Sequence, residues 1–164
     1  MAHIYRKVMP FFTNGMESYI ESRKVRFNYE LLENFTAGIE LFGFEVKSVR
    51  AGHGSLEGAH IIIRGKESYI VGMKIDPYQT NNTPPGYDRE RTRKLLITKK
   101  EILLLEEAES KKGLTLVPLS LYNKGGKIKL AFAIARGKKK FDKRETIKKR
   151  DTDRDISRLV KRRE

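Results

Sequence analysis

The chain has 164 residues, and its 35 Lys and Arg against 21 Asp and Glu leave a formal net charge of +14. A hydrophobic share of 38% is enough for one core in a chain of this length, so we expect one domain. The positive charge favours nucleic acid or an anionic membrane surface as a partner. Apolar runs such as His60–Ile63 are far too short to span a bilayer, so we expect no membrane role.

The chain contains no cysteine, which excludes disulfides and thiolate metal sites. Its three histidines, His3, His53 and His60, are too scattered for a metal cluster, and we expect no metal and no cofactor. No apolar segment near the start resembles a secretory signal, so we expect a cytoplasmic protein.

The first elements follow a leader without a sustained period, residues 1–22, whose order the sequence leaves open. From residue 23 onward, apolar residues lie at close spacing around Gly38 and Gly43, which predicts strand segments with bends. Val46 and Val49 then recur at helical spacing before a glycine-rich stretch, which predicts a short helix.

The middle of the chain alternates between ordered elements and a loop. Residues 59–64 and 68–75 are rich in β-branched side chains and predict a hairpin. Residues 78–90 are polar and contain two prolines, so we expect a surface loop. A helix should follow, ended by a glycine, with one apolar face made of Ile102, Leu103, Leu105 and Ala108.

Alternating apolar residues over 114–137 predict two strands around a turn at 123–126. About six short strands with two or three helices imply a mainly β fold. We expect an OB-like antiparallel β-barrel over residues 23–136, because its curved face and loops suit nucleic acid.

The tail, residues 137–164, holds 13 Lys and Arg against 6 Asp and Glu and has few apolar side chains. Burial cannot offset its ordering entropy, so we expect it to be disordered alone. Ile156, Leu159 and Val160 would share one face of a helix. Two interpretations stay open: a helix that forms in a phosphate-lined groove and presses this patch into an apolar site, or a solubilising tail with an accidental triplet.

Glu45 and Lys47 have the acid-x-lysine spacing of some metal-dependent nucleases. The alternative is an ordinary salt bridge at the rim of the barrel. The chain has no phosphate-cradling glycine loop and no evident nucleophile with its base, so we expect a protein that is not an enzyme.

Basic clusters are better candidates for function. Arginine forks engage phosphate, and the clusters together exceed what solubility requires. One cluster precedes the barrel and one follows the long loop: Arg23, Lys24 and Arg26, and then Arg89, Arg91, Arg93 and Lys94. Phe27 and Tyr29, interleaved with the first cluster, could stack on bases, but strand aromatics are usually buried and we assign them to the core.

Four segments, GFEVKSVRAG, RTRKLL, LTLVPLSLY and ARGKKKFDKR, occur in this order, and with their flanks they cover nearly everything after residue 22. This combination resembles the small protein B (SmpB) family, the SsrA-binding proteins that partner bacterial transfer-messenger RNA (tmRNA). The resemblance implies an OB-like barrel that binds the tRNA-like domain of tmRNA. It also implies delivery, with elongation factor Tu, to the vacant A site of a stalled ribosome. We expect a monomer.

The resemblance further implies that the tail enters the empty mRNA channel, next to small-subunit RNA of the decoding centre, and becomes helical there. RNA contacts carry over to Ser22, Thr36, Leu96, Thr98, Lys127, Gly137, Lys138 and Lys139, and the basic clusters add Arg23, Arg26, Arg93 and Lys94. Ribosome contacts carry over to Phe141, Asp142, Lys143, Arg144, Leu159 and Val160. The alternative function is a constitutive ribosomal or initiation-type OB-fold protein.

The chain departs from the family's pattern at four positions. Ser22 stands for the usual Asn, and Thr36 for the usual Glu of an FEAG-like turn, which removes a negative charge. Arg89 replaces a proline in the DPxR-like segment. Phe141 stands where Tyr or His is frequent, which keeps a ring for stacking but loses a polar group.

Overall fold

The computed structural model describes residues 18–79, 81 and 83–139 and, in the tail, residues 142, 144, 147 and 152. Their helices are α1 (Val25–Asn28), α2 (Gly43–Arg50) and α3 (Lys99–Ser110). Their strands are β1 (Ser18–Glu21), β2 (Tyr29–Ile39), β3 (Gly54–Ser55), β4 (His60–Arg64), β5 (Glu67–Val71), β6 (Lys74–Ile75), β7 (Arg93–Leu96), β8 (Leu114–Lys124) and β9 (Lys127–Gly137).

The larger sheet closes on itself. Its strand order is β1-β8-β4-β5-β7-β2-β9, and β8 also pairs with β9. Six strands therefore form a ring, with β1 added to β8, and every pairing is antiparallel. The predicted mainly β fold with short helices is confirmed. The sequence predicted no strand at the short β1, β3 and β7, and β6 lies within the predicted second strand of the hairpin.

The inside of the ring is the core. Leu130, Phe132 and Ile134 of β9 belong to the main core cluster, as the period of two in a strand allows, and the alanines between them are also buried. Phe132 stacks on Phe35 of β2 with ring centroids 5.5 Å apart. Burying each such side chain stabilises the fold by about 1.5–3 kcal/mol, so the ring is held from within.

The predicted hairpin forms from β4 and β5, which pair from His60–Val71 to Arg64–Glu67. Both residues of its turn have a positive φ, 58° at Gly65 and 64° at Lys66. A two-residue hairpin turn of type I′ requires a positive φ at both positions. The turn places the Lys66 side chain at the tip of the hairpin.

Helix α3 begins at Lys99, after an N-cap in which Thr98 and Glu101 bond each other's backbone amides. Ile102, Leu105 and Ala108 are buried against the ring, as predicted. The expectation for Leu103 is wrong: it is 63% exposed, because each helical residue turns by about 100° and carries it off that face. No helix among the described residues is long and apolar enough to cross a membrane.

Three boundaries differ from the predictions. Strand β1 pairs with β8 and buries Ile20, so the sheet begins upstream of residue 23, and only residues 1–17 of the leader lie outside the described part. The segment 35–38 lies inside β2 and is not a turn. Strand β9 continues to Gly137, so the first residue of the predicted tail still belongs to the ring.

Candidate nucleic-acid interface

A buried ionic cluster stands at one end of the ring, where α2 meets the loop after β6. Its centre is Glu45, which has no exposed surface. Arg93 approaches one carboxylate oxygen at 2.7 Å, the Tyr87 hydroxyl donates to the same oxygen at 2.8 Å, and the Phe42 amide donates to the other at 2.8 Å. Arg91 donates to both oxygens. The carboxylate is fully occupied by protein donors.

Arg93 is the other buried member of this cluster and also has no exposed surface. It donates to the carbonyl oxygens of Met73 at 2.7 Å, Arg91 at 3.0 Å and Arg89 at 3.1 Å. We therefore correct the expectation that Arg93 contacts RNA: its guanidinium has no open side for a phosphate. Its contribution is to hold the end of the long loop against the ring.

The nuclease interpretation of Glu45 and Lys47 does not fit this geometry, since Glu45 already accepts from four residues. The salt-bridge alternative is correct for Glu45, although the bridge is buried rather than at the rim. In the described part of the chain, no group of three or more His, Asp or Glu could hold a metal ion.

The cluster shifts two pKa values. Burial by itself raises the pKa of Glu45, but the hydrogen bonds from Arg91, the Phe42 amide and Arg93, with the charge of Arg93, outweigh it and lower the pKa below the ordinary 4.5. Burial, followed by the hydrogen bond to Glu45, raises the pKa of Tyr87 to about 12. The carboxylate is therefore charged and the phenol neutral at physiological pH.

The first candidate surface, which we call the β2–β7 face, is a depression of about 640 Å³ beside the N-terminal end of α3. The structure brings together four of the RNA-contact residues expected from the sequence: Thr36, Lys94, Leu96 and Thr98. Lys66, Lys99 and Lys129 line the same depression. Lys127 lies two residues from Lys129, hence on the same side of β9.

Local contacts fix the side chains of this face. The hydroxyls of Thr36 and Tyr122 lie 3.2 Å apart, across β9. Leu96 pairs with Gly38, where a Cβ would lie 3.1 Å from the Leu96 Cβ. The absence of a side chain at Gly38 therefore leaves room for the Leu96 side chain. Leu96 is nevertheless 53% exposed, which makes it an apolar contact among cations.

Lys94 is less available than the other lysines of this face. It pairs with Glu67, which also accepts a hydrogen bond from Tyr69. These contacts, led by the hydrogen bond from Lys94, lower the pKa of Glu67, and the same bond raises the pKa of Lys94. Lys66, Lys99 and Lys129 form no ion pair with any other described residue, so the face keeps a positive excess.

The second candidate surface, which we call the α1 face, contains Ser22, Arg23, Arg26, Gly137 and Lys138. Lys138 joins α1 through its amide, 2.9 Å from the Asn28 carbonyl, and through its Nζ, 3.0 Å from the Arg26 carbonyl. Ser22 and Arg23 line a depression of about 770 Å³ between α1 and residues 55–60. Both arginines are exposed.

Of the two aromatics near α1, Tyr29 packs against Val25, Val117 and Ala135, as expected for the core. Phe27 is half-buried. Tyr29 is therefore a packing residue and not a candidate for stacking on a base.

The two faces lie at opposite ends of one strand pair. Gly137 pairs with Tyr29 at the α1 end, and Lys129 pairs with Gly38 at the other. Eight residues of strand separate Gly137 from Lys129, about 26 Å at ~3.3 Å per residue. Apart from the buried Arg93 and from Lys139, the expected RNA-binding residues thus form two sites, which an extended polyanion can span.

At the start of the tail, the amide of Lys139 donates to Asp142 at 3.1 Å. Asp142 and Arg144 are exposed and helical. Phe141, Lys143, Leu159 and Val160 lie outside the described residues, and their ribosome contacts stay predictions.

Sequence reasoning missed Lys66 and Lys129 on the β2–β7 face. Lys129 alternates with the apolar residues of β9, which was an available signal for an outward-facing side chain, whereas the position of Lys66 depends on a long-range pairing of β5 with β7. It also missed that Arg93 shares the inward side of β7 with Leu95, although the period of two contained that signal.

Comparison with known proteins agrees with these features. The family model for the SmpB protein matches residues 19–162. An SsrA-binding protein of Gloeothece citriformis is 45% identical over 150 residues, covering 91% of this chain and 97% of the relative. One of Gloeobacter violaceus is 48% identical over 143 residues, covering 87% and 93%.

A solved structure described as "tmRNA-SmpB: a journey to the center of the bacterial ribosome" superposes with a TM-score of 0.62 at 42% identity, covering 74% of this chain and 85% of that one. The family model spans most of the chain, and the two relatives match this chain over nearly their full length. The chain belongs to the SmpB family.

Proposed function

We propose that this protein is the RNA-binding factor of trans-translation, which binds the tRNA-like domain of tmRNA and brings it to stalled ribosomes. One observation carries the proposal: Thr36, Lys94, Leu96 and Thr98 converge with Lys66 and Lys129 on the β2–β7 face. The curated relatives are named for binding SsrA.

The physical basis is shape and charge. Structured RNA is recognised largely through its backbone, and each phosphate that a lysine neutralises releases counterions. The β2–β7 face supplies lysines around Leu96, and the α1 face supplies Arg23 and Arg26 at the other end of the β2–β9 strand pair. A folded RNA that contacts both faces gains affinity that a short single strand lacks.

The remaining parts of the proposal concern the ribosome. The tail, predicted as residues 137–164 and beginning after β9 ends at Gly137, occupies the empty mRNA channel beside decoding-centre RNA, where Phe141, Asp142, Lys143 and Arg144 begin the contact. Leu159 and Val160 press into an apolar site near its end. Elongation factor Tu accompanies the delivery complex, and the protein acts in the cytoplasm as a monomer. The basic charge of the tail supports this assignment.

A charge inserted near the end of the tail tests this division. The full-length double variant Leu159→Asp with Val160→Asp should bind tmRNA as the wild type does. It should fail to support tagging of nascent peptides on stalled ribosomes whose mRNA channel is empty, because burying a charge in an apolar site costs several kcal/mol. The matched control changes Asp155 and Arg158 to Asn and Gln, which leaves the apolar pair intact. Full tagging by the double Asp variant would contradict the proposed role of the tail.

A further inference from the structure

Phe42 is a large apolar side chain that the core does not use. It is the N-cap residue of α2, and 52% of its surface is exposed. Its ring lies 5.6 Å from that of Phe44, which in turn meets the edge of Tyr87 at 4.9 Å. The aromatic row thus begins at the buried cluster and ends at the surface.

A fixed arginine supports this exposed ring. The guanidinium carbon of Arg91 lies 4.1 Å from the centre of the Phe42 ring. The Arg91 Nε donates to Glu45 at 2.9 Å, and its terminal nitrogens reach Glu45 and the carbonyls of Thr92 and Glu40. These contacts use four of the five N–H donors of Arg91, so its guanidinium is held mainly by the protein. It holds Phe42 in one position.

The pair adjoins the β2–β7 face, and the exposed Glu40, whose negative charge acts on Lys94, contacts both regions through its backbone. Glu45 offers one negative charge to Arg91 and Arg93, which leaves the cluster at +1. The backbone joins the two regions, because the amide of Glu40 donates to the carbonyl of Lys94 at 3.0 Å. A strand of RNA that follows the lysines of that face and continues past Glu40 reaches Phe42.

We infer that Phe42, backed by Arg91, is a stacking platform for one unpaired RNA base at the edge of the β2–β7 face. Every base has a π-face, and an aromatic ring that is already held still loses little entropy when a base stacks on it. The inference rests on the proposed function, since the base belongs to the RNA bound there. The competing explanation is that Phe42 only shields the Arg91–Glu45 ion pair from water.

Two substitutions separate these explanations. Phe42→Leu keeps an apolar cover over the ion pair but removes the π-face, whereas Phe42→Tyr keeps both. We expect the Leu variant to bind transcribed tmRNA about fivefold or more weakly, the lower range for loss of one stacked base. The Tyr variant should bind within about twofold of the wild type. Thermal unfolding of both variants reports whether the ion pair remains covered.

A second measurement does not depend on affinity. Full-length protein with p-benzoylphenylalanine at position 42, irradiated with tmRNA, should cross-link to one unpaired nucleotide. Wild-type affinity of the Leu variant, or cross-links only to paired nucleotides, would overturn the inference and leave the proposed function standing. Failure of the wild type itself to prefer tmRNA over bulk tRNA would instead overturn the proposed function.

Discussion

Arg93 and Glu45 lie 2.7 Å apart, and neither side chain has any surface exposed to solvent. The pair joins the start of β7 to α2, and Arg93 also holds three loop carbonyls. Since β7 carries Lys94 and Leu96, the buried pair sets the position of the β2–β7 face.

Removal of the Glu45 charge should destabilise the fold strongly. Glu45→Gln leaves the buried Arg93 without its counter-ion, and breaking such a pair costs about 3–5 kcal/mol. Urea unfolding measures the free energy of unfolding directly. The control is Glu90→Gln, which breaks the exposed Lys74–Glu90 pair and should have little effect. Equal effects of the two variants would show that the cluster is not a structural centre.

Acid should weaken the fold through the same carboxylate. The pKa of Glu45 is lowered in the folded state, so the unfolded chain binds a proton more readily. The stabilisation is therefore complete above the ordinary pKa of 4.5 and is lost as pH falls through the lower folded value. Unfolding free energies between pH 3 and pH 7 should rise more steeply with pH in the wild type than in Glu45→Gln. Parallel curves would contradict this linkage.

Tyr87 should titrate late and make the fold sensitive to alkali. Its pKa is raised to about 12, so its stabilising contribution is complete below pH 10 and declines as pH rises toward that value. Ultraviolet difference titration of the wild type against Tyr87→Phe should isolate one phenol ionising near pH 12. The variant should also lose about 1 kcal/mol of stability, since its ring no longer donates to Glu45. A difference spectrum that develops near pH 10 would refute the buried hydrogen bond.

The lysines of the β2–β7 face should contribute to affinity in proportion to their phosphate contacts. The double variant Lys127→Ala with Lys129→Ala should weaken tmRNA binding and reduce the slope of log K against log salt by about 1 for each lost contact. Lys112→Ala with Lys100→Ala removes the same charge from exposed positions on and just beyond α3. An identical loss of slope in both variants would mean that only net charge matters.

The fold was largely predictable because its signals are local. Alternation marked β8 and β9, and the segment from Thr98 to Gly113 marked α3. Strand β1 was missed because its four residues are too short for a period to show and because its burial depends on pairing with a distant β8.

The site was predictable only in part. The resemblance placed Thr36, Leu96 and Thr98 in one function, but their convergence with Lys66 requires the ring to close. The ionic cluster was harder to foresee, because an arginine in a basic run looks like a surface residue. Arg93 faces inward on β7, and its buried partner is Glu45, which lies 48 residues away in the sequence.

The most direct test of the account is competition between tmRNA and bulk tRNA for the purified full-length protein across a salt series. We expect the preference for tmRNA to persist at moderate salt, because recognition of shape by the two faces survives screening of nonspecific charge. Affinity for tmRNA that falls to the tRNA level as salt rises would contradict the account. Tight retention on salt-washed ribosomes lacking tmRNA would then favour a constitutive ribosomal protein.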